Sequence, residues 1–532
     1  MNSARSDKNQ LSKKEILIVV LSSFLIVMGF CAIMGTLTSG YHPVDDHEYL
    51  EWTYDRLHGV SFMKLMLGNI EDNGNRFRPL YQIFRTIWVE LFGTNIFIHS
   101  IVKAMQASIC LACLYFVARR HNYYDCGRLV SVLFAITAFV GYQSSVWWKL
   151  GTTEVQGCLL FSIGFLFTEA YLRYDKNRYL AGAIISYGLL VLLKENLFIL
   201  LPFVGFYTLF YDLRSALEHD HRTKITWKLI FDHIRRRIVF YIFLIGFFLA
   251  TAFICCFVID PNAYKGGEYL FGHFDKAAWL NSMHDLKWFV LCGCLFTAVL
   301  LTFYDHFKYM WMDAILLFIF VFPQILVYSH SGMDERYIIP SSIGYALFFV
   351  ISGFGQKVLY GFRKYIYIAG MLILVVFHVR AAVLQADYFT YRGKGFQATM
   401  DLAADLAREN PDAKICSALE YFEPNKTIEF YLMLNSNDNM YYCHNIDSED
   451  LYIDRKYDGD YSLSHDDGIY TDEPMDIVIA YSPDDIHYSR EFKADPDKYE
   501  MIRYGTMCIY VRKDSGITVP DPGIASPRFY QL

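Results

Sequence analysis

An acidic stretch lies where the first long apolar run of the chain ends. Its carboxylates and imidazoles are His42, Asp45, Asp46, His47 and Glu48. A carboxylate held beside a substrate can take a proton from a hydroxyl group and so act as a general base. Acidic side chains on loops are ordinarily only solvated. The stretch is therefore a candidate site only if other charged groups gather on the same side of the same membrane.

Four further groups of polar or aromatic residues are expected at the same membrane surface. They are Arg76 with Arg78, Trp147-Trp148-Lys149 with Glu154, Lys194 with Glu195, and Asp334-Glu335-Arg336-Tyr337. Arginine and lysine hold phosphate groups and stabilise them as they leave. Flanking arginines also anchor helices to lipid headgroups, and tryptophans are common at membrane interfaces. Each group could therefore be a membrane anchor without a role in catalysis. Together with the acidic stretch, the set suits transfer of a sugar from a lipid phosphate.

The composition places the chain among membrane proteins. It has 532 residues, of which 54% are hydrophobic and 17% aromatic. We predict an α-helical polytopic membrane protein with about 11 transmembrane helices, because the apolar runs are about 20 residues long. The predicted spans are residues 16–37, 96–118, 129–148, 154–172, 179–193, 197–212, 238–259, 288–304, 312–329, 337–354 and 365–384. Basic residues cluster at span ends, which is typical of orientation signals and not of nucleic-acid binding.

The distribution of lysine and arginine predicts the orientation. With the N-terminus inside, the inner loops carry about twice as many of these residues as the outer loops. Residues 1–14 then form a cytoplasmic tail, and an odd number of spans places the C-terminus outside. We predict a multi-pass protein of the cell membrane with a cytoplasmic N-terminus and an extracytoplasmic C-terminal domain.

The chain divides into two predicted domains. A transmembrane domain covers residues 15–385, and its first outer loop, residues 39–95, is too long for a simple connection. Apolar residues at helical spacing predict an amphipathic helix over 80–91 with Pro79 in its first turn, and a weaker helix around Trp52. Residues 386–532 alternate predicted helices and strands, which indicates an α/β domain. Its predicted elements are helices at 396–408 and 427–434, strands at 414–418 and 476–481, and a hairpin at 501–512.

The order of these motifs resembles the GT-C superfamily of integral membrane glycosyltransferases. The likeness is to bacterial relatives of protein O-mannosyltransferases and aminoarabinose transferases, and it covers about residues 15–385. It is carried by Asp45-Asp46 after the first span, by the helices of the first outer loop, and by three later motifs. Those motifs are Arg76-Phe77-Arg78-Pro79, Lys194-Glu195 and Arg336-Tyr337-Ile338-Ile339-Pro340.

The resemblance implies a glycosyltransferase of the hexosyltransferase type. It would move a sugar from a polyprenyl-phosphate donor to an extracytoplasmic glycan, lipid or protein, with Asp45 or Asp46 as the catalytic base. The implied phosphate-binding residues are Arg76, Arg78, Lys194 and Arg336, and the implied supporting residues are His47, Glu48, Trp148, Lys149, Glu195 and Tyr337. No residue pattern in the sequence identifies a cofactor. Metal dependence stays open, and Asp45 and Asp46 are the candidate ligands of a divalent cation.

Three other functions remain as alternatives. A flippase or transporter for a lipid-linked oligosaccharide needs polar residues through the depth of the membrane, whereas the middles of these spans are largely apolar. A polysaccharide polymerase or ligase usually carries its large loop late in the chain, whereas the large loop here follows the first span. A non-catalytic scaffold with an outer binding domain would leave the acidic pair remote from Lys194 and Arg336.

Overall fold

The structure is a computed structural model, and it describes most of the chain. The described residues are 12–43, 46–72, 76–121, 146–148, 153–219, 225–258, 280, 307–327, 339–340, 343–344, 346–347, 363–419, 422–436, 441–445, 450–453, 469–470, 474–482 and 494–518.

Helices dominate the described part of the first 409 residues. They are α1 (Lys13–Met34), α2 (His47–Leu57), α3 (Phe62–Asp72), α4 (Pro79–Phe92), α5 (Ile96–His121), α6 (Glu154–Tyr174), α7 (Asn177–Leu193), α8 (Leu201–His219), α9 (Trp227–Arg236), α10 (Ile238–Phe253), α11 (Phe307–Val327) and α12 (Arg363–Glu409). Short 3₁₀ turns follow α1 and α7.

Several of these helices are long and apolar enough to cross a membrane. Within the described residues there are four such helical segments, and the bent pair α9–α10 would make a fifth. The four are α1, residues 96–119 of α5, α6, and residues 195–217. The multi-pass prediction is therefore supported, while the predicted number of spans stays a prediction. Residues 129–145, 288–304 and most of 337–354 lie outside the described residues.

Aromatic side chains fill the middle of the helical bundle. The ring centroid of Phe320 in α11 lies 5.3 Å from that of Phe161 in α6 and 4.7 Å from that of Phe203 in α8. All three side chains are buried. Rings at these separations pack edge to face and form a layer of aromatic side chains inside the bundle.

The two ends of the bundle hold different charged groups. At one end Arg119 of α5 donates to Glu15 of α1 at 2.8 Å, and Arg237, which precedes α10, pairs with Asp175 after α6. At the other end lie the loop after α1 and the junction of α7 with α8. These ends match the predicted inner and outer sides. Which of them faces the cytoplasm stays a prediction.

A charged residue interrupts the apolar run that forms α7 and α8. Lys194 has an extended backbone, with φ −156° and ψ 132°, and the 3₁₀ turn Glu195–Leu200 leads into α8. The predicted division into two helical segments is therefore confirmed. The extended residue turns the Lys194 side chain into the bundle, where it is buried.

The first outer loop is helical, as predicted, and contains one helix more than predicted. Helices α2 and α4 match the predicted helices, and Pro79 is the first residue of α4. Arg56 of α2 donates to Glu90 of α4 at 2.6 Å. Helix α3 was not predicted, because its apolar residues crowd into a short run from Phe62 to Leu67, interrupted only by Lys64, and give no clear helical period.

The chain that leaves α1 packs directly on α12. Gly40 has φ +78°, and a Cβ there would lie 2.5 Å from the Cβ of Gln397. The backbone N–H of Tyr41 donates to Gln397 Oε1 at 3.2 Å. Thr390 of α12 donates to the carbonyl oxygen of Met34 at 2.9 Å. Only glycine suits residue 40, since its backbone is left-handed and its neighbour is close. This contact fixes the start of the acidic stretch.

The C-terminal domain is a mixed α/β layer, as predicted. Its strands are β1 (Ile415–Ala418), β2 (Tyr441–Asn445), β3 (Asp450–Ile453), β4 (Ile469–Tyr470), β5 (Ile477–Tyr481), β6 (Tyr499–Tyr504) and β7 (Met507–Arg512), and helix α13 is Phe422–Asn435. The described strands form one sheet in the order β4-β3-β2-β1-β5-β7-β6, with β1 parallel to β2 and β5.

The helix predicted at 396–408 is the end of α12. This helix has 47 residues and runs without a break across the predicted domain boundary at residues 385 and 386. The sheet therefore attaches to the bundle through a continuous helix, and its position relative to the acidic stretch is fixed by the Gly40 contact.

Helix α13 also packs against α2, and Glu51 lies at this contact. Burial raises the pKa of the Glu51 carboxyl to about 8. Repulsion from Asp55, Glu48 and Glu429 raises this pKa further, whereas attraction from Lys426 lowers it. The contact between the first outer loop and the C-terminal domain therefore contains a carboxyl group that is protonated near neutral pH.

This contact should weaken as pH rises. The pKa of Glu51 is raised from its ordinary value of 4.5 to about 8 in the folded chain, so folding favours the protonated form. The stabilisation is full below about pH 4.5 and is lost progressively as pH rises towards 8. We expect the melting temperature to fall by a few degrees between about pH 6 and pH 8.5. Glu51→Gln should remove most of this slope in scanning fluorimetry, whereas Asp405→Asn, at an exposed carboxylate, should leave it unchanged.

Candidate active site

Asp46 is the member of the predicted catalytic pair that the structure describes, and Asp45 lies outside the described residues. The Asp46 side chain is fully buried at the turn before α2. The backbone N–H of His42 donates to Asp46 Oδ2 at 2.6 Å. A hydrogen bond from a backbone amide favours the ionised carboxylate and holds it in one orientation. Asp46 is thus a fixed carboxylate at the end of the bundle that we predict to be outside.

Aromatic rings enclose the residue that holds Asp46. The His42 ring stacks on Phe389 of α12 at 5.1 Å with an interplanar angle of 3°. It also lies 4.0 Å from the ring of Trp148, which is fully buried. The structure therefore brings the predicted supporting residue Trp148 next to the acidic stretch, while Lys149 lies outside the described residues. His42 was not predicted as a site residue, although it precedes Asp46 by only four positions.

A bidentate ion pair joins the first outer loop to the junction of α7 and α8. Arg78, just before α4, donates through Nε and Nη2 to the two carboxylate oxygens of Glu195, each at 2.7 Å. Both side chains are mostly buried. The planar fork of arginine matches a carboxylate or a phosphate in this way. The sequence predicted both residues at the site but not that they pair.

A second ion pair lies beside the first. The Lys194 ammonium donates to Glu154 Oε1, and both side chains are buried. Lys194 is also within electrostatic range of Arg78 and Glu195. Two cations and two carboxylates from three separate segments thus form one network. Removing these charges from water costs free energy that offsets much of their mutual attraction. Such a network is therefore weak evidence that its role is only to stabilise the fold.

Helix α4 links this network to the acidic stretch. Its Arg85 side chain is buried and pairs with Glu48, two residues after Asp46. The guanidinium carbon lies 4.5 Å from the ring of Tyr81 and 4.9 Å from that of Trp52. Glu48 is therefore engaged in fixing α2 against α4. Arg85 was absent from the predicted site, although it lies on the polar side of the predicted amphipathic helix.

A cavity opens where α2, α4, α5 and α6 meet. Its volume is only about 10 Å³, which is room for about one water molecule. Its lining residues are Tyr49, Tyr81, Arg85, Trp88, His99, Val102, Lys103, Gln106 and Gln156. Arg85, His99 and Lys103 are buried, and none of the described lining residues is a carboxylate. Lys103 was not predicted as a site residue, because it falls inside a predicted span.

The remaining predicted residues are His47, Arg76, Arg336 and Tyr337. His47 begins α2 and is buried, whereas Arg76 is exposed. Arg336 and Tyr337 lie outside the described residues. Among the residues that the structure does describe, no three histidine, cysteine, aspartate or glutamate side chains are placed to share a metal ion.

Comparison with known proteins gives matches only among solved structures. No family model matches the sequence, and no curated relative matches it. The structure resembles ArnT from Cupriavidus metallidurans bound to undecaprenyl phosphate, with 12% identity, a TM-score of 0.48, and coverage of 96% of this chain and 100% of that chain. The apo state of that enzyme matches with 12% identity and a TM-score of 0.44 over 93% of this chain and 99% of that one.

An archaeal enzyme matches more distantly. The oligosaccharyltransferase of Archaeoglobus fulgidus in its apo form has 12% identity and a TM-score of 0.43 over 79% of this chain and 64% of that chain. Both matched enzymes are GT-C glycosyltransferases. This is the superfamily that the sequence resembles.

Proposed function

We propose that this chain is a membrane glycosyltransferase that moves a sugar from a polyprenyl-phosphate-linked donor to an acceptor outside the cytoplasm. One observation supports it most: α4 connects the acidic stretch to the Lys194–Glu195 junction. At one end of α4, Arg78 pairs with Glu195, and further along, Arg85 pairs with Glu48. A fixed carboxylate, buried aromatic rings and oriented cations thus occupy the same end of an apolar bundle.

The acidic pair provides the base in this proposal. A carboxylate oxygen of Asp45 or Asp46 takes the proton of an acceptor hydroxyl group as that oxygen bonds to the anomeric carbon of the sugar. The bond between the anomeric carbon and the phosphate oxygen breaks, and its electron pair leaves with polyprenyl phosphate. Attack on the side opposite the phosphate inverts the anomeric carbon.

Cations of the ion-pair network bind the leaving phosphate in this proposal. Arg78 and Lys194 are the described candidates, since a carboxylate orients each of them. An incoming phosphate offers the Arg78 fork the same paired oxygens as Glu195, so it competes with Glu195 for that fork. Arg76 and Arg336 remain proposed contributors. We propose a hexose as the sugar and a cell-envelope glycan, polymer or lipid as the acceptor.

The apolar middle of the bundle favours an enzyme over a carrier. A flippase for the same lipid needs polar groups along the path of the headgroup, because a charged headgroup is costly to place in hydrocarbon. In the described residues, Phe161, Phe203 and Phe320 pack together at mid-depth. The network of Arg78, Glu195, Lys194 and Glu154 lies at one end of the bundle, where in this proposal a lipid phosphate meets an acceptor from the aqueous side.

Comparing lipid-linked sugars with envelope glycans in a strain lacking this chain tests the proposal. We expect one polyprenyl-phosphate-linked sugar to accumulate, and one sugar modification of the envelope to disappear. The gene for the wild-type chain should reverse both changes. A strain in which both the lipid-linked sugars and the envelope glycans are unchanged would contradict the proposal.

A further inference from the structure

Helix α9 is oriented differently from the helices that cross the membrane. It ends at Arg236, and the next helix, α10, turns away from it by 84°. The α10 helix is almost wholly apolar. A helix nearly perpendicular to a spanning helix lies along the membrane surface. Thr226 caps α9, since its side chain accepts from the backbone N–H of Leu229 at 3.3 Å.

One face of α9 binds the rest of the protein. Leu229 is buried, and His233 Nδ1 lies 3.8 Å from a carboxylate oxygen of Asp212 in α8. Arg237, directly after the helix, is buried and contacts Asp212 and Asp175. These contacts fix how the helix is rotated about its axis, so its other faces have defined directions.

A second face is apolar. At about 100° per residue it comprises Trp227, Ile230, Phe231 and Ile234. Ile230 and Ile234 are half-buried, and Ile230 packs against the core of the bundle, so the uncovered part of this face is Trp227 and Phe231. Trp227 is 86% exposed and Phe231 is 74% exposed. Lys228 and Arg235, both exposed, follow directly beside this face on the helical wheel. An apolar face with a cationic border is the pattern of a helix that lies in the membrane interface and meets anionic headgroups.

We propose that α9 binds the headgroup phosphate of an acidic phospholipid between Lys228 and Arg235, with Trp227 and Phe231 inserted into the adjoining acyl region. The predicted orientation places this site in the cytoplasmic leaflet. The neighbouring charges are Asp232, on the side away from the apolar face, and Arg236, whose Nη2 lies 3.4 Å from Asp175. The site lies at the opposite end of the bundle from Asp46, so it is separate from the proposed transferase site.

Fluorescence quenching by brominated lipids tests this proposal on the full chain in nanodiscs. The chain has eight tryptophans, so the Trp227 signal is the difference between the wild type and Trp227→Phe. Brominated phosphatidylglycerol should quench this signal at a lower mole fraction than brominated phosphatidylcholine. A preference of about 25-fold is expected at low salt, from about fivefold for each of the two cations. The preference should shrink as salt is raised.

Charge variants separate the headgroup contact from simple insertion. Lys228→Gln/Arg235→Gln should reduce the preference for phosphatidylglycerol to near unity while Trp227 is still quenched. The matched control, Arg408→Gln/Lys498→Gln, removes two exposed cations from the C-terminal domain and should keep the preference. Equal quenching by the two lipids in the wild type would overturn the proposal. So would a signal that neither lipid quenches, which would mean that a protein partner or water covers the apolar face.

Discussion

Replacing Asp46 by asparagine should lower sugar transfer by about 10²- to 10⁴-fold, the usual contribution of a general base. Asparagine has the size of aspartate and keeps an oxygen that can accept the His42 N–H, so the turn before α2 should form normally. What is lost is the negative charge that takes the proton or orients the acceptor. Transfer measured with the purified chain, alongside its melting temperature, checks both parts of the expectation.

The acidic pair needs a parallel variant and a control. Asp45→Asn, at the neighbouring carboxylate, shows which member of the pair is the base, since the base should give the larger loss. Asp405→Asn replaces an exposed aspartate of α12 and should leave transfer unchanged. If Asp45→Asn and Asp46→Asn both keep full activity, the assignment of the base is wrong.

Removing the Lys194 charge should have the largest effect on stability. Lys194→Met leaves Glu154 buried without its cation, and breaking a buried ion pair in this way costs about 3–5 kcal/mol of unfolding free energy. The double variant Lys194→Met/Glu154→Met replaces both charges by apolar side chains and should recover most of that stability. Transfer should stay low in both variants, because the proposed phosphate-binding ammonium is absent from both.

An exposed ion pair provides the matched control. Arg56 and Glu90 pair across α2 and α4 at the protein surface, so Arg56→Met should cost at most about 1 kcal/mol. Denaturation and transfer measured on the same preparations separate the two roles of Lys194. Recovery of both stability and transfer in the double variant would mean that the Lys194–Glu154 pair is only structural.

Local sequence patterns predicted much of the architecture. Helix α4 follows from an apolar residue at every helical turn and from Pro79 at its start. The terminal hairpin follows from two strand-like runs on either side of Gly505, which has φ +64° and suits a tight turn. The order of the charged motifs was enough to place Asp46, Trp148, Arg78 and Lys194 at one end of the bundle.

Contacts between distant residues could not be read from the sequence. Nothing local indicates that Lys194 pairs with Glu154 and not with its neighbour Glu195, since packing of α6 against α7 decides it. Arg85 looked like a polar residue of a surface helix because a periodic pattern does not show which polar side chains become buried. The continuity of α12 was not predicted, because the predicted span was ended where the sequence becomes polar. The helix itself continues through this change in polarity.

Turnover of the donor by the purified chain tests the central claim most directly. The lipid extract of a strain lacking the chain, which should contain the accumulated donor, is reconstituted with the wild-type chain and an envelope extract as acceptor. Mass spectrometry should then show polyprenyl phosphate appearing as the polyprenyl-phosphate-linked sugar disappears, with neither change in Asp45→Asn/Asp46→Asn. Movement of the intact donor across the membrane without release of polyprenyl phosphate would contradict the claim and indicate a carrier.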